Sequence, residues 1–201
     1  VQEVTSAKGV KAWLVEDHSV PLVAVKLTFR DGGSAYDPKG KEGRGSMTAA
    51  MLLEGAGSMD ATQFATALEG DAVRLSFGVD DDGFSASLSS ISGVTAKAFS
   101  YLGMALNTPR FDVAAFTRVK QQMLSGLMQQ EKDPQYLLSR RWAGVLFGAH
   151  AYANPEMGTK ESVAKLAVSD LKDFKQRYLA RDALLIGVVG DVTPEALSEL
   201  L

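Results

Sequence analysis

The stretch GRGSMTAAMLLEGAG, Gly43 to Gly57, has glycines at both ends and an apolar run between them. Met47, Met51 and Leu52 recur at helical spacing, so the pattern predicts a short helix over Ser46–Leu53. The polar side chains of the stretch are few: Arg44, Ser46, Thr48 and Glu54. The segment has the form of a helix that presents a catalytic group, but it contains no such group.

Upstream of this helix the chain is rich in β-formers. Lys11–Asp17 and Pro21–Arg30 alternate apolar and polar residues, and the short turn between them predicts that they form a hairpin. Asp31–Gly43 is dense in glycine, proline and aspartate, which predicts a loop.

Downstream, Ala61–Leu68 has helical spacing, and two further strands flank the turn Asp80–Gly83. These strands are Ala72–Val79 and Phe84–Ser90, and the Asp-Gly step between them favours a tight hairpin.

The second half of the chain is mainly helical. Further helices are predicted over Val94–Leu106, Asp112–Gln130, Gln135–Leu146 and Ser169–Leu179. Ala183–Gly190 has the composition of a buried strand, and Thr193 with Pro194 marks the start of a last helix.

These elements predict one mixed domain over residues 1–201 of the α+β class. Five predicted strands are expected to join one sheet, mainly antiparallel, with the helices packed on one face: Lys11–Asp17, Pro21–Arg30, Ala72–Val79, Phe84–Ser90 and Ala183–Gly190. Met47, Met51 and Leu52 should pack the Ser46–Leu53 helix against that sheet.

The composition excludes several classes of function. The 21 basic and 24 acidic residues give a formal net charge of −3, which provides no electrostatic reason to bind nucleic acid or an anionic membrane. No apolar run approaches the roughly 20 residues that a membrane span needs. The absence of cysteine excludes disulfides, thiolate nucleophiles and cysteine-ligated metals.

The titratable residues form no recognisable catalytic or metal motif. His18 and His150 lie far apart in sequence, and neither has a second ligand at helical spacing. We interpret both as turn or loop histidines, and Asp80–Gly83 as a solvated turn. An enzyme whose active site follows none of these motifs is therefore the least favoured hypothesis.

The order of elements resembles a known family when certain segments are considered together. The loop DPKGKEG ahead of the first helix, the segment FGAHAYANPEMGTKESVAKL, and YLARDALLIGVVGDVTPE near the end resemble the N-terminal domain of the pitrilysin/insulinase family. These are zinc peptidases with an inverted H-x-x-E-H motif. The resemblance covers almost the whole chain and implies a metallohydrolase-like domain that forms one half of a longer, two-domain chain.

The resemblance also implies what the first helix has lost. In active relatives this helix carries His-x-x-Glu-His, and these positions correspond here to Ser46, Ala49 and Ala50. The further glutamate ligand corresponds to Ser125 or Gly126. No bound metal and no catalytic residue are therefore expected, and zinc is expected only in an active partner.

For such a domain the resemblance implies a non-catalytic role in a two-component zinc metallopeptidase. The chain would close the chamber, help to bind the peptide substrate and associate with a zinc-bearing subunit of the same family. An alternative is a purely structural subunit of a larger complex. The resemblance also favours a bacterial periplasmic location.

The peptide-binding segment implied by the resemblance is the strand after the second helix. In active relatives the substrate adds a strand to the sheet edge beside the motif helix, and Leu75, Ser76, Phe77, Gly78 and Val79 are the matching residues. If Gly78 presents its N–H at that edge, Gly78→Pro should weaken peptide capture without unfolding the domain.

Overall fold

The computed structural model describes all 201 residues, and its strands and helices follow one another in a mixed order. The strands are β1 (Gln2–Thr5), β2 (Lys11–Glu16), β3 (Leu22–Arg30), β4 (Gly55–Ala56), β5 (Met59–Asp60), β6 (Arg74–Val79), β7 (Gly83–Ile91) and β8 (Leu184–Gly190). The α-helices are α1 (Arg44–Met51), α2 (Ala61–Gly70), α3 (Thr95–Asn107), α4 (Val113–Gln130), α5 (Pro134–Phe147), α6 (Lys160–Ala164), α7 (Val168–Tyr178) and α8 (Pro194–Leu200). No helix combines the length and the apolar composition that a membrane span requires.

Six strands form one sheet in the order β1-β2-β8-β3-β7-β6. Only β2 and β8 run parallel, and every other neighbouring pair is antiparallel. The α+β class and the mainly antiparallel sheet are therefore confirmed. The five predicted strands all belong to this sheet, and β4 and β5 form a separate two-stranded ribbon.

The predicted hairpin of Lys11–Asp17 with Pro21–Arg30 is wrong. β8 lies between these strands, parallel to β2 and antiparallel to β3. The sequence of β8, LLIGVVG, carries no charged or hydrogen-bonding side chain, which suits a strand bonded on both sides. The outer side of β2 is covered by β1, a strand that the sequence analysis missed.

The helices cover one face of the sheet. Along β3, Val23, Val25, Leu27 and Phe29 are buried, whereas the alternating Leu22, Ala24 and Lys26 are exposed. Burial on one side and exposure on the other define a two-layer domain with its core between sheet and helices.

Helix α1 lies inside that core. Met47, Met51 and Leu52 are fully buried, as the spacing predicted, and α1 packs against β6, α4 and α7. The predicted apolar stripe of α4, Phe116, Val119, Met123 and Leu127, is also buried. Because buried side chains anchor α1 on several sides, its outward face has a fixed position relative to the sheet.

Candidate functional site

The three positions that the resemblance assigns to the zinc motif, Ser46, Ala49 and Ala50, lie in α1. Ser46 and Ala50 are one turn apart and share its outer face, where Ser46 is half-buried and Ala50 is exposed. Ala49 is buried. The Ser46 hydroxyl donates a hydrogen bond to the carbonyl oxygen of Glu156, at 2.9 Å.

A buried carboxylate holds the start of α1. Asp37 accepts hydrogen bonds from the N–H of Gly43 at 2.9 Å and of Gly45 at 3.2 Å, so it satisfies two N–H groups that the helix itself cannot. The Arg44 Nε lies 3.3 Å from the same carboxylate. The two side chains are 1% and 5% exposed, which makes this a buried ion pair.

Burial raises the pKa of Asp37 to about 6, although Arg44 and the N–H groups of Gly45 and Gly43 act in the opposite direction. The Arg44 guanidinium also lies over the rings of Phe174 and Tyr178, 5.2 and 5.5 Å from their centroids. In the sequence, Asp37 is one of several aspartates in or near the predicted loop Asp31–Gly43. Only its fold-dependent distance to α1 distinguishes it from the other aspartates of the loop.

Two glycines allow another segment to approach the start of α1. Gly43 has φ of +88°, and a Cβ there would lie 2.5 Å from the carbonyl oxygen of Met157. A Cβ on Gly158, with φ of +75°, would lie 2.2 Å from the carbonyl oxygen of Glu42. The segment around Met157 therefore packs directly against the backbone at the start of α1.

The donor set around α1 does not fit zinc. Ala49 and Ala50 have no ligand atom, and the Ser46 hydroxyl is hydrogen-bonded to the backbone. Ser125 and Gly126 are exposed on α4, which packs against α1, and offer no carboxylate. No group of three histidine, cysteine or acidic side chains is close enough to hold a metal ion. Zinc in proteins is bound by imidazole, thiolate and carboxylate groups, which these positions lack.

Strand β6, which contains the candidate peptide-binding residues Leu75–Val79, is the last strand of the sheet. Hydrogen bonds alternate along an antiparallel pair, and the Asp80 N–H donates to the Gly83 carbonyl, so Asp80 and Gly83 are a hydrogen-bonded pair. The backbones of Gly78, Ser76 and Arg74 therefore also face β7. The N–H and C=O groups of Leu75, Phe77 and Val79 point outward from the free edge of the sheet and have no hydrogen-bond partner.

This geometry corrects the expectation for Gly78. Its N–H is directed at Ser85 on β7 and not at the free edge, so proline there would remove a bond of the sheet itself. Val79 presents an outward N–H, and its side chain packs toward Gly45 of α1. The outward groups of β6 thus lie directly beside the helix that carries the lost motif.

The turn between β6 and β7 is more than a solvated turn. The backbone carbonyls of Asp80 and Asp81 accept hydrogen bonds from the N–H groups of Ser34 and Ala35. The Tyr152 hydroxyl donates to Asp82 Oδ1 at 2.6 Å. Burial, followed by repulsion from Asp81 and Asp80, raises the pKa of the nearby Glu156 carboxyl.

One histidine has partners that the sequence analysis missed. His18 Nδ1 lies 2.6 Å from Asp191 Oδ1, and its Nε2 lies 2.9 Å from Glu16 Oε1. Hydrogen bonds to Asp191 and Glu16 raise the pKa of His18. Asp191 is distant in sequence and becomes a neighbour because β8 pairs with β2, so no local pattern could have identified it.

Comparisons with known proteins give consistent relatives. No protein-family model matches the chain. The chain is 32% identical over 191 residues to the non-peptidase homologue YmxG of Helicobacter pylori, covering 95% of this chain and 44% of that protein. It therefore spans less than half the length of this curated relative.

Solved structures are similar over the whole chain. The inactive domain of an M16 peptidase from Pseudomonas fluorescens superposes with a TM-score of 0.92 and 30% sequence identity, covering 100% of this chain and 48% of that one. The periplasmic protease PqqL of Escherichia coli has a TM-score of 0.85 at 14% identity, covering 99% of this chain and 23% of that one, and indicates the fold alone.

Proposed function

The chain is a degenerate N-terminal domain of the pitrilysin/insulinase (M16) family, and from this premise we propose that it is the non-catalytic subunit or half of a two-component zinc metallopeptidase. In this role it associates with a zinc-bearing subunit of the same family, closes the chamber and helps to bind the peptide substrate. The similarity to longer relatives supports a second domain of the same chain. A periplasmic location, which the family resemblance of the sequence favours, is part of this proposal.

The proposal rests on the free edge of β6. An extended peptide that adds a strand needs backbone donors and acceptors, which Leu75, Phe77 and Val79 provide. Long unpaired edges invite aggregation, and proteins usually protect them. Loss of the metal ligands leaves this backbone surface unaltered, so peptide capture can persist without catalysis.

The test is reconstitution of the full-length chain with the H-x-x-E-H-bearing family member encoded in the same genome. We expect the pair to hydrolyse an unstructured fluorogenic peptide faster than the zinc-bearing subunit alone. A stable complex with unchanged turnover and no peptide affinity would favour the purely structural role. Absence of any complex would contradict the proposal.

The peptide-binding edge is tested with Val79→Pro against Val79→Ala. Both variants lose the branched side chain of valine, but only proline also removes the outward N–H. We expect Val79→Pro to bind peptide about 3- to 10-fold more weakly than Val79→Ala, the effect of one hydrogen bond. Equal peptide affinity of the two folded variants would show that the edge plays no part.

A further inference from the structure

Helix α5 is the least covered helix of the domain in proportion to its length. None of its 14 residues is buried, whereas the 18-residue α4 buries four apolar side chains. Isolated helices of this length are marginal in water, and most helices in proteins depend on tertiary packing. An uncovered helix rich in leucine, tryptophan and valine therefore indicates a missing contact.

The exposed apolar side chains of α5 form one continuous surface. Leu138, Trp142, Val145 and Leu146, here called the α5 stripe, are spaced i, i+4, i+7 and i+8 and are between 59% and 74% exposed. The opposite side of the helix is attached to the domain, where Arg140 Nη1 donates to the carbonyl of Ala153 at 2.8 Å. The α5 stripe thus faces away from the body of the protein.

The α5 stripe has the size of the apolar part of a specific interface. Tryptophan has about 150–250 Å² of side-chain surface, and leucine and valine have less, so the exposed fractions leave on the order of 400 Å² of apolar surface. A stable interface buries about 800 Å² on each partner, of which roughly 60% is apolar. Isolated exposed leucines are common, whereas a contiguous patch of this size is comparable to the largest apolar patch of a typical monomer, which is often functional.

Helix α5 is attached at the same end of the domain as the degenerate site. The 3₁₀ turn Ala151–Ala153 after α5 is held by the bond from Tyr152 to Asp82 at the tip of β6 and β7. Three residues further on, the Glu156 carbonyl accepts the hydrogen bond of Ser46 on α1. A subunit that faces the degenerate helix is therefore within reach of α5.

The charges around the α5 stripe favour a different chain over a second copy. The residues from Pro134 to Pro155 include Arg140 and Arg141 and no carboxylate. Arg141 is exposed beside the α5 stripe, so an antiparallel pair of two such helices would bring like charges together. A complementary surface is an apolar groove with carboxylates at its rim.

We propose that the α5 stripe is the docking surface for the zinc-bearing partner subunit, which receives it in an apolar groove rimmed by carboxylates. This inference rests on the proposed function, because it identifies where on this chain that partner binds. Trp142, the largest side chain near the centre of the α5 stripe, is the expected hot spot.

The experiment compares two exposed tryptophans in the full-length chain. Trp142→Ser should weaken binding of the H-x-x-E-H subunit about 30-fold, the usual effect of losing an interface hot spot. The matched control is Trp13→Ser on the open face of the sheet, which should change the affinity less than about 3-fold. Titration calorimetry measures both, and circular dichroism checks the folding of each variant.

A photo-crosslinking amino acid at Val145 provides evidence independent of any folding defect in Trp142→Ser. It should form a covalent link to the zinc-bearing subunit, and the same group at position 13 should not. Unchanged affinity of Trp142→Ser, or no crosslink from position 145, would overturn this inference while leaving the proposed function intact. If the wild-type chain forms no complex, this inference and the proposed function are both contradicted.

Three other occupants of the α5 stripe would also overturn the inference. The second domain of the same chain, proposed above, would bury the α5 stripe within one molecule, and the crosslink from position 145 would then form inside the chain. Sedimentation of the chain alone would detect a dimer that Trp142→Ser dissociates, which would assign the α5 stripe to a second copy. Flotation with vesicles containing phosphatidylserine would detect Trp142-dependent membrane binding.

Discussion

Asp37 connects the loop ahead of α1 to the helix itself. Its carboxylate pairs with Arg44 and accepts N–H groups from the first turn, so one buried side chain sets the start of the helix. A buried ion pair contributes little net stability when intact, because desolvation offsets the attraction. Its removal is costly, since the remaining charge stays buried without a partner.

We expect Asp37→Ala to lower the free energy of unfolding by about 3–5 kcal/mol, because it leaves the Arg44 guanidinium buried and unpaired. The control is Asp173→Ala, whose half-exposed carboxylate lies 3.9 Å from Arg44 and which should cost less than about 1 kcal/mol. Urea unfolding measures both. Equal losses would show that Asp37 is not the group that holds Arg44.

His18 makes the stability of the domain depend on pH. Its pKa is raised by Asp191 and Glu16, so the charged imidazole is favoured in the folded state. This contribution is fully present below the unfolded pKa of about 6.5 and is lost as pH rises through the higher folded value.

As the pH is raised from 6, the free energy of unfolding should therefore decrease less for His18→Gln than for the wild type. Urea unfolding at a series of pH values measures this decrease. Asp191→Asn should reduce the fall in the same direction, because the Asp191 carboxylate is the main cause of the raised pKa of His18. Parallel pH profiles of wild type and both variants would contradict this assignment.

The loop elements at the start of α1 depend on two glycines. Gly43 and Gly158 both have positive φ, and a Cβ on either residue would collide with backbone atoms next to the other. The Ser162 hydroxyl fixes the same contact by donating to the Glu42 carbonyl at 2.8 Å. Close backbone packing and the Ser162 hydroxyl therefore hold this segment against the start of α1.

Gly43→Ala should destabilise the domain by at least about 2 kcal/mol, because a left-handed backbone and a clash with the Met157 carbonyl act together. The matched control is Gly126→Ala, an exposed position within α4 with no atom near its Cβ. That variant should stabilise the protein by about 1 kcal/mol through helix propensity. Thermal unfolding measures both variants. Unfolding temperatures that shift in the same direction would contradict this explanation.

For the whole molecule, the lost motif predicts that the chain alone binds no stoichiometric zinc. Elemental analysis of protein purified without an affinity tag should find well below one zinc per chain. Restoring Ser46→His, Ala49→Glu and Ala50→His together should not create a peptidase, since Ser125 and Gly126 still supply no carboxylate. Peptide hydrolysis by the triple variant alone would contradict this prediction.

Several elements were predictable because their signals are local. The caps of the last helix, the apolar stripe of α4 and the Asp80–Gly83 hairpin depend on residues within one or two turns of each other. The loss of the metal ligands also follows from the sequence, because no fold can supply imidazoles to Ser46, Ala49 and Ala50.

The tertiary structure alone decided which strands are neighbours. Nothing within Lys11–Arg30 indicates that β8 separates β2 from β3, because strand order depends on which distant apolar surfaces are buried together. The same non-local packing brings Asp191 to His18, buries Asp37 under α1 and turns the N–H of Gly78 toward β7. The sequence by itself therefore determined that Ser46, Ala49 and Ala50 offer no imidazole or carboxylate, since side-chain chemistry is set residue by residue. Only the fold decided that a free strand edge lies beside the degenerate helix, because an edge is defined by the absence of a neighbour in space.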